Sequence, residues 1–151
     1  MTAKNYFELL DLPTSYDIDF GQLTKNYLAA QRKYFEEFSG QIGRELNNAY
    51  NTLKDDIKRG EYLLNIKGIA LSDTISSKNA AKMFQLREEY ENLSDEKSQN
   101  NFREDLRNEI QKSVDVLKSC NDMNQFADTL SVTKFMSAFL DKVKVDVYSR
   151  N

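Results

Sequence analysis

Few residues in this chain could do covalent chemistry. Cys120 is the only cysteine, and there is no histidine. Without imidazole, most nucleophile–base dyads and the common transition-metal sites are excluded. Cys120 falls at the C-terminus of a predicted helix, where the negative pole of the backbone dipole opposes a thiolate. It reads as an inert packing or surface residue. Glu36 and Glu37 are adjacent carboxylates. Neighbouring side chains on a helix point in different directions, so these read as a solvated pair and not as an acid–base couple. No glycine-rich phosphate loop occurs. The inventory points away from an enzyme and away from any metal or cofactor. What remains is the chemistry of noncovalent binding.

Two sets of residues suit that chemistry. Lys25, Arg32 and Lys33 lie on a predicted helix, off its apolar stripe, and form a basic outer face. A charged outer face is also what any solvent-facing helix carries. Phe84 stands beside the stripe Met83–Leu86–Tyr90, and Phe135 stands beside Met136 on a stripe of its own. Each is a candidate for an exposed aromatic, and exposed aromatics call for a partner. Ordinary core packing is the alternative for both.

The elements that must position these residues are helices. All five glycines and the single proline lie at or before Gly68. A chain without these punctuators is most easily a set of long helices. Before Gly68 we expect three helices. A short one, about Tyr6 to Leu10, is stopped by Pro13. A second is capped by Asp19 with Gln22 in a capping box, Ile18 stapling onto Leu23, and buries Phe20, Leu23, Tyr27, Ala30 and Tyr34. A third buries Leu46, Ala49 or Tyr50, Leu53 and Ile57. After a boundary near Gly68 to Ser76 come three more. They span about Ser77 to Leu93, Asp95 to Cys120 and Asp122 to Tyr148. Their stripes are Met83, Leu86, Tyr90 and Leu93; Phe102, Leu106, Ile110, Val114 and Leu117; and Phe126, Leu130, Met136, Leu140, Val143 and Val147. Short polar turns favour antiparallel neighbours.

Composition narrows the partners. The chain has 151 residues, 40% of them hydrophobic, with 21 basic and 24 acidic side chains and a net charge of −3. That is enough for one medium core or two small ones. A nucleic-acid partner is disfavoured by the absence of a basic excess. A membrane partner is disfavoured by the absence of a run of about 18 apolar residues. The single cysteine suits a reducing compartment. The N-terminus has neither an apolar signal core nor an Arg-rich, acid-poor leader. We expect the bacterial cytoplasm, with the mitochondrial matrix as the second option.

Several segments share a frame: Asn5-Tyr6-Phe7-Glu8-Leu9-Leu10-Asp11-Leu12-Pro13, then Gln31-Arg32-Lys33-Tyr34, then Glu45-Leu46-Asn47-Asn48-Ala49-Tyr50-Asn51-Thr52-Leu53, then Lys58-Arg59-Gly60-Glu61-Tyr62-Leu63-Leu64. This frame resembles the J-domain of the HscB family, the co-chaperones of iron–sulfur cluster assembly. In that family a His-Pro-Asp tripeptide follows the tyrosine found here at Tyr34. This chain has Phe35-Glu36-Glu37-Phe38 there, and only the 11 residues Phe35 to Glu45 separate Tyr34 from Leu46. The family's connection is longer, so the departure is a shortened loop and not a set of point substitutions. The shortening would also let the second helix run on through Phe38.

The resemblance implies an all-α fold. A short J-domain-like helical hairpin unit, 1–71, would pack in an L shape with a C-terminal antiparallel three-helix bundle, 72–151. Lys58 to Leu64 would join the two through Tyr62, Leu63 and Leu64. It implies that Lys25, Arg32 and Lys33 dock a DnaK/HscA-class ATPase chaperone. Met83-Phe84-Gln85-Leu86-Arg87-Glu88-Glu89 is similar to the family's first C-terminal helix. Matching position by position puts Phe84, Glu88 and Phe135 on contacts with an IscU-type scaffold protein, while two further apolar contact positions appear as the smaller Ala80 and Ala81. The expected function is delivery of the scaffold to the chaperone, with ATPase stimulation impaired by the missing tripeptide. The alternative is a J-like interaction adaptor or decoy without stimulating activity. An internal deletion in a standard family member is a third reading.

Overall fold

Five helix starts in this protein are fixed by side chains that precede them. Asn5 Oδ1 accepts the Glu8 amide at 2.9 Å, and Asp19 Oδ1 accepts the Gln22 amide at 3.0 Å. Asp55 accepts both the Ile57 and Lys58 amides at 2.9 Å. Asp95 takes the Ser98 amide and hydroxyl, each at 2.9 Å, and Asp122 takes the Asn124 amide at 2.9 Å. Each carboxylate or amide oxygen satisfies donors that a helix N-terminus leaves unpaired.

The structure is a computed structural model describing residues 4–36, 40–71 and 77–149, the side chains of 77, 78 and 145–149 excepted. Among these residues every regular element is an α-helix. In order they are α1 (Tyr6–Leu9), α2 (Phe20–Lys33), α3 (Gln41–Leu53), α4 (Asp56–Ile66), α5 (Ser77–Glu91), α6 (Glu96–Ser119) and α7 (Met123–Ser149). They divide between two compact units, Met1–Ala70 and Leu71–Asn151.

The first unit contains four helices, one more than the sequence pattern predicts. The chain breaks between Leu53 and Asp56, so Ile57 belongs to α4 and not to the helix that carries Leu46 and Ala49. The cause is a pair of competing hydrogen bonds. In a continuous helix the Ile57 amide would donate to the Leu53 carbonyl. Here Asp55 takes that amide, and the guanidinium of Arg59 takes the carbonyl, Nη1 to O at 2.9 Å.

Arg59 is fully buried. Its Nε donates to the Tyr16 carbonyl at 2.7 Å and its Nη2 to Asp56 Oδ1 at 2.8 Å. The guanidinium lies 4.4 Å from the Tyr16 ring centroid and 5.1 Å from that of Phe20. One side chain thus ties the segment before α2 to the α3–α4 break. Burial pushes the Tyr16 hydroxyl well above the ordinary tyrosine range, against the pull of the Arg59 charge, and the protonated group donates to the Asp56 carbonyl at 3.1 Å. Phe20, expected in the α2 stripe, is mostly a lid over Arg59 and is exposed on its other side.

Leu23, Leu46, Ala49, Leu53, Leu63 and Leu64 fill the core of this unit together with Phe7 and Leu10. Aromatic contacts fix the helix faces. Tyr6 stacks on Tyr62 with centroids 4.4 Å apart, and the Tyr6 amide donates to the Tyr62 hydroxyl at 2.9 Å. Tyr27 of α2 stacks on Tyr50 of α3 at 4.3 Å and donates its hydroxyl hydrogen to Asn47. Asn26 donates to the Leu10 carbonyl at 2.8 Å, closing the end of α1 against α2. α4 finishes on a left-handed glycine, Gly68 with φ 71°. Ile69 N donates to Leu64 O at 2.9 Å and Gly68 N to Asn65 O at 3.1 Å, the paired bonds of a Schellman motif.

In the second unit α6 and α7 are antiparallel. Ser113 and Thr133 share a hydroxyl–hydroxyl hydrogen bond, while Leu106 packs in one cluster with Met136, Phe139, Leu140 and Val143. Met83 and Tyr90 bring α5 into that cluster. Tyr90, Phe102 and Phe139 form an aromatic trio with centroids 5.3 to 6.3 Å apart. Val114, Leu117, Phe126 and Leu130 complete the buried stripes. The Val147 side chain and the boundary segment 72–76 lie outside the described residues.

Candidate functional site

The first candidate surface is the outer face of α2. By helix spacing Lys25, Leu28 and Arg32 fall on one line. All three are exposed, Leu28 by 44%. Lys33 is set apart. Its ammonium lies 5.3 Å from the Tyr34 ring centroid, and the residue lines a cavity of about 220 Å³ with Tyr34, Asn26 and Ile42. Of the three cations singled out in the sequence, the structure groups two and turns the third toward the cleft among α1, α2 and α3.

Beyond α2 the helix does not run on as the short connection led us to expect. It stops at Lys33, because Tyr34 at φ −109°, ψ 30° leaves the helical region. Phe35 follows and is 82% exposed, with Glu36 also in solvent. Glu37 and Phe38 lie outside the described residues. α3 then begins at Gln41 behind Gly40, whose position supplies no side-chain cap. It is the only start among α1 to α4 without one.

The second candidate surface runs along α5. Phe84 is 68% exposed, and Glu88 one turn further on is also exposed. Ala80 and Ala81 continue the exposed strip toward the N-terminus. Phe135 differs from its expectation. It is half-buried against the core cluster, and the Arg87 guanidinium covers its ring at 5.1 Å. Its neighbour in sequence, Met136, takes the fully buried place. Arg87 thus bridges the exposed strip of α5 to the aromatic of α7, a role that periodicity assigns to no residue. No hydroxyl–imidazole or thiolate chemistry arises here. The surface offers an aromatic anchor, a carboxylate and a stacked guanidinium, which together can hold a protein surface by apolar burial with charge selection at its edge.

No family model matches the chain. Curated relatives do. It is 32% identical over 150 residues to a co-chaperone protein HscB homolog of Shewanella oneidensis, covering 90% of this chain and 78% of the relative. It is 29% identical over 127 residues to co-chaperone protein HscB of Proteus mirabilis, covering 74% and 73%. Among solved structures, chaperone HscB from Vibrio cholerae superposes with a TM-score of 0.81 at 25% identity, covering 98% of this chain and 100% of that one. Human co-chaperone protein HscB shares the fold at a TM-score of 0.83 and 21% identity, over 95% and 82% of the two chains.

Proposed function

Since this chain belongs to the HscB family of co-chaperones in iron–sulfur cluster assembly, we propose that it carries an IscU-type scaffold protein to a DnaK/HscA-class ATPase. The α5 strip of Phe84 and Glu88, with Phe135 at its edge, holds the scaffold. The unit 1–71 acts as the J-like domain and the unit 72–151 as the scaffold-binding domain. Lys25 and Arg32 on α2 face the chaperone, with Lys33 flanking them. It acts by binding and not as an enzyme, in the cytoplasm of its host.

The observation that carries the scaffold reading is the exposure of Phe84 by 68% beside an exposed glutamate. Burying an aromatic of that kind on a partner contributes about 1.5–3 kcal/mol, enough to make it a principal anchor. The ATPase reading rests on the connection after Tyr34. It offers Phe35 and Glu36 to solvent where a stimulating loop would present His-Pro-Asp. We therefore expect the chaperone to be bound but its hydrolysis to be stimulated weakly or not at all.

Steady-state ATPase measurements with the host's chaperone, with and without the scaffold, test this. Stimulation as strong as that of a His-Pro-Asp-bearing family member refutes the reading of the loop. Reversing Lys25 and Arg32 to glutamate should weaken chaperone binding about tenfold at low salt and less at high salt. The tripeptide-free connection, with Phe35 and Glu36 exposed, also favours a second reading, an adaptor or decoy. Recovery of a stable partner other than the scaffold, when the chain is purified from its host, decides for that reading.

A further inference from the structure

A cleft opens between α5 and α7 just beyond the strip that carries Phe84. It has a volume of about 290 Å³ and is lined by Arg87, Tyr90, Glu91, Phe139, Lys142 and Val143. Its floor is apolar, since Tyr90, Phe139 and Val143 all belong to the buried cluster. One end is closed by Gln99, whose Nε2 donates to the Leu93 carbonyl at 3.2 Å. Its mouth is charged. Arg87 comes from α5 and Lys142 from α7, and both are exposed. Among the described residues neither has a carboxylate within ion-pair distance. Arg87 is steadied by its stack on Phe135 at 5.1 Å.

Size and position decide what such a cleft can take. Small-molecule sites occupy about 300–1,000 Å³ and enclose most of their ligand. This cleft is at the lower bound and suits one or two side chains. By helix spacing Phe84, Arg87, Glu88 and Glu91 lie along one side of α5, so the cleft continues the strip already described. Two cations face a single carboxylate, Glu91, which selects an acidic group at the mouth and an apolar one on the floor.

We infer that the α5–α7 cleft is a second anchor for the scaffold protein, receiving an apolar side chain on Phe139 and Val143 with a neighbouring carboxylate between Arg87 and Lys142. The inference rests on the scaffold-binding reading and adds a site to it. Calorimetric titration of the full chain with the host's purified IscU-type scaffold tests both separately. Lys142→Glu is expected to weaken binding about tenfold, with the loss shrinking at high salt, while Lys142→Arg keeps wild-type affinity. Lys142 is exposed, so melting temperatures should match and exclude misfolding as the cause. If Phe84→Ala abolishes binding and Lys142→Glu binds like wild type, the cleft is overturned and the scaffold reading stands. If the wild-type chain does not bind the scaffold at all, both fall.

Discussion

Replacing Arg59 with leucine removes the clamp that joins the pre-α2 segment to the α3–α4 break. Two of its three hydrogen bonds go to backbone carbonyls, Tyr16 at 2.7 Å and Leu53 at 2.9 Å. Each carbonyl left without a donor costs about 1–3 kcal/mol. The third bond goes to Asp56, whose side chain is 40% exposed. Water can replace that partner, so its loss contributes at most about 1 kcal/mol. The contacts of the guanidinium with Tyr16 and Phe20 add about 1 kcal/mol. Relief of the buried charge offsets part of the sum. The expected net loss is about 3–5 kcal/mol, the range seen when a buried charge network is broken. Arg59→Lys should fall between, because an ammonium keeps the charge but cannot fork to three acceptors. Native-state hydrogen exchange at the Leu53, Leu63 and Leu64 amides reads the first unit alone, without assuming that both units unfold together. If exchange at these amides in Arg59→Leu is slowed or unchanged, to within about 0.5 kcal/mol, the clamp has no energetic role and the account of the α3–α4 break fails.

Three further outcomes follow from local chemistry. Asp55→Ala frees the Ile57 and Lys58 amides and should cost about 1–2 kcal/mol in urea unfolding. Gly68→Ala places a side chain at φ 71° with open space around it. The cost is conformational, about 1 kcal/mol by the same assay. The Ser98 hydroxyl and amide hold the Asp95 carboxyl below its ordinary value of 3.8. A depressed value in the folded state means stabilisation that is complete above about pH 3.8 and lost as the pH falls through the folded value. The melting-temperature gap between wild type and Asp95→Ala should therefore be constant near neutrality and close on acidification below that point.

The sequence made some of this legible through one rule, that apolar residues at helical spacing face inward. Leu106, Val114 and Leu117 on α6 and Phe126, Leu130, Met136 and Val143 on α7 all obey it. The same rule hides what matters in the first unit. It sends every arginine to the surface, yet Arg59 is fully buried and Arg103 is buried as well. It also makes Leu53 and Ile57 look like one stripe, because their spacing of four fits a helix that Asp55 and Arg59 interrupt. Leu28 is hidden for the opposite reason. An apolar residue on a basic face is noise until its line with Lys25 and Arg32 is seen. Phe84 was legible as an exposed aromatic because it sits one position off the Met83–Leu86–Tyr90 stripe. Phe135 sits off its stripe too, yet is half-covered, since sequence spacing on α7 carries no information about Arg87 on α5.

Among the described residues, the ring stacking and hydrogen bonds that hold α2 to α3 lie away from the connection between them. Tyr27 meets Tyr50 and Asn47 within the hairpin, and Arg59 secures the far end. These contacts use no residue between Lys33 and Gln41. Doubling the length of such a connection adds only about 0.6 kcal/mol of closure entropy. The helical pair is thus a chassis and the connection a cartridge. Segments of different length and sequence can be exchanged at this point while the frame around them keeps its register. A chain of this design can lengthen or shorten this loop in a single step, without first rebuilding the rest of the first unit.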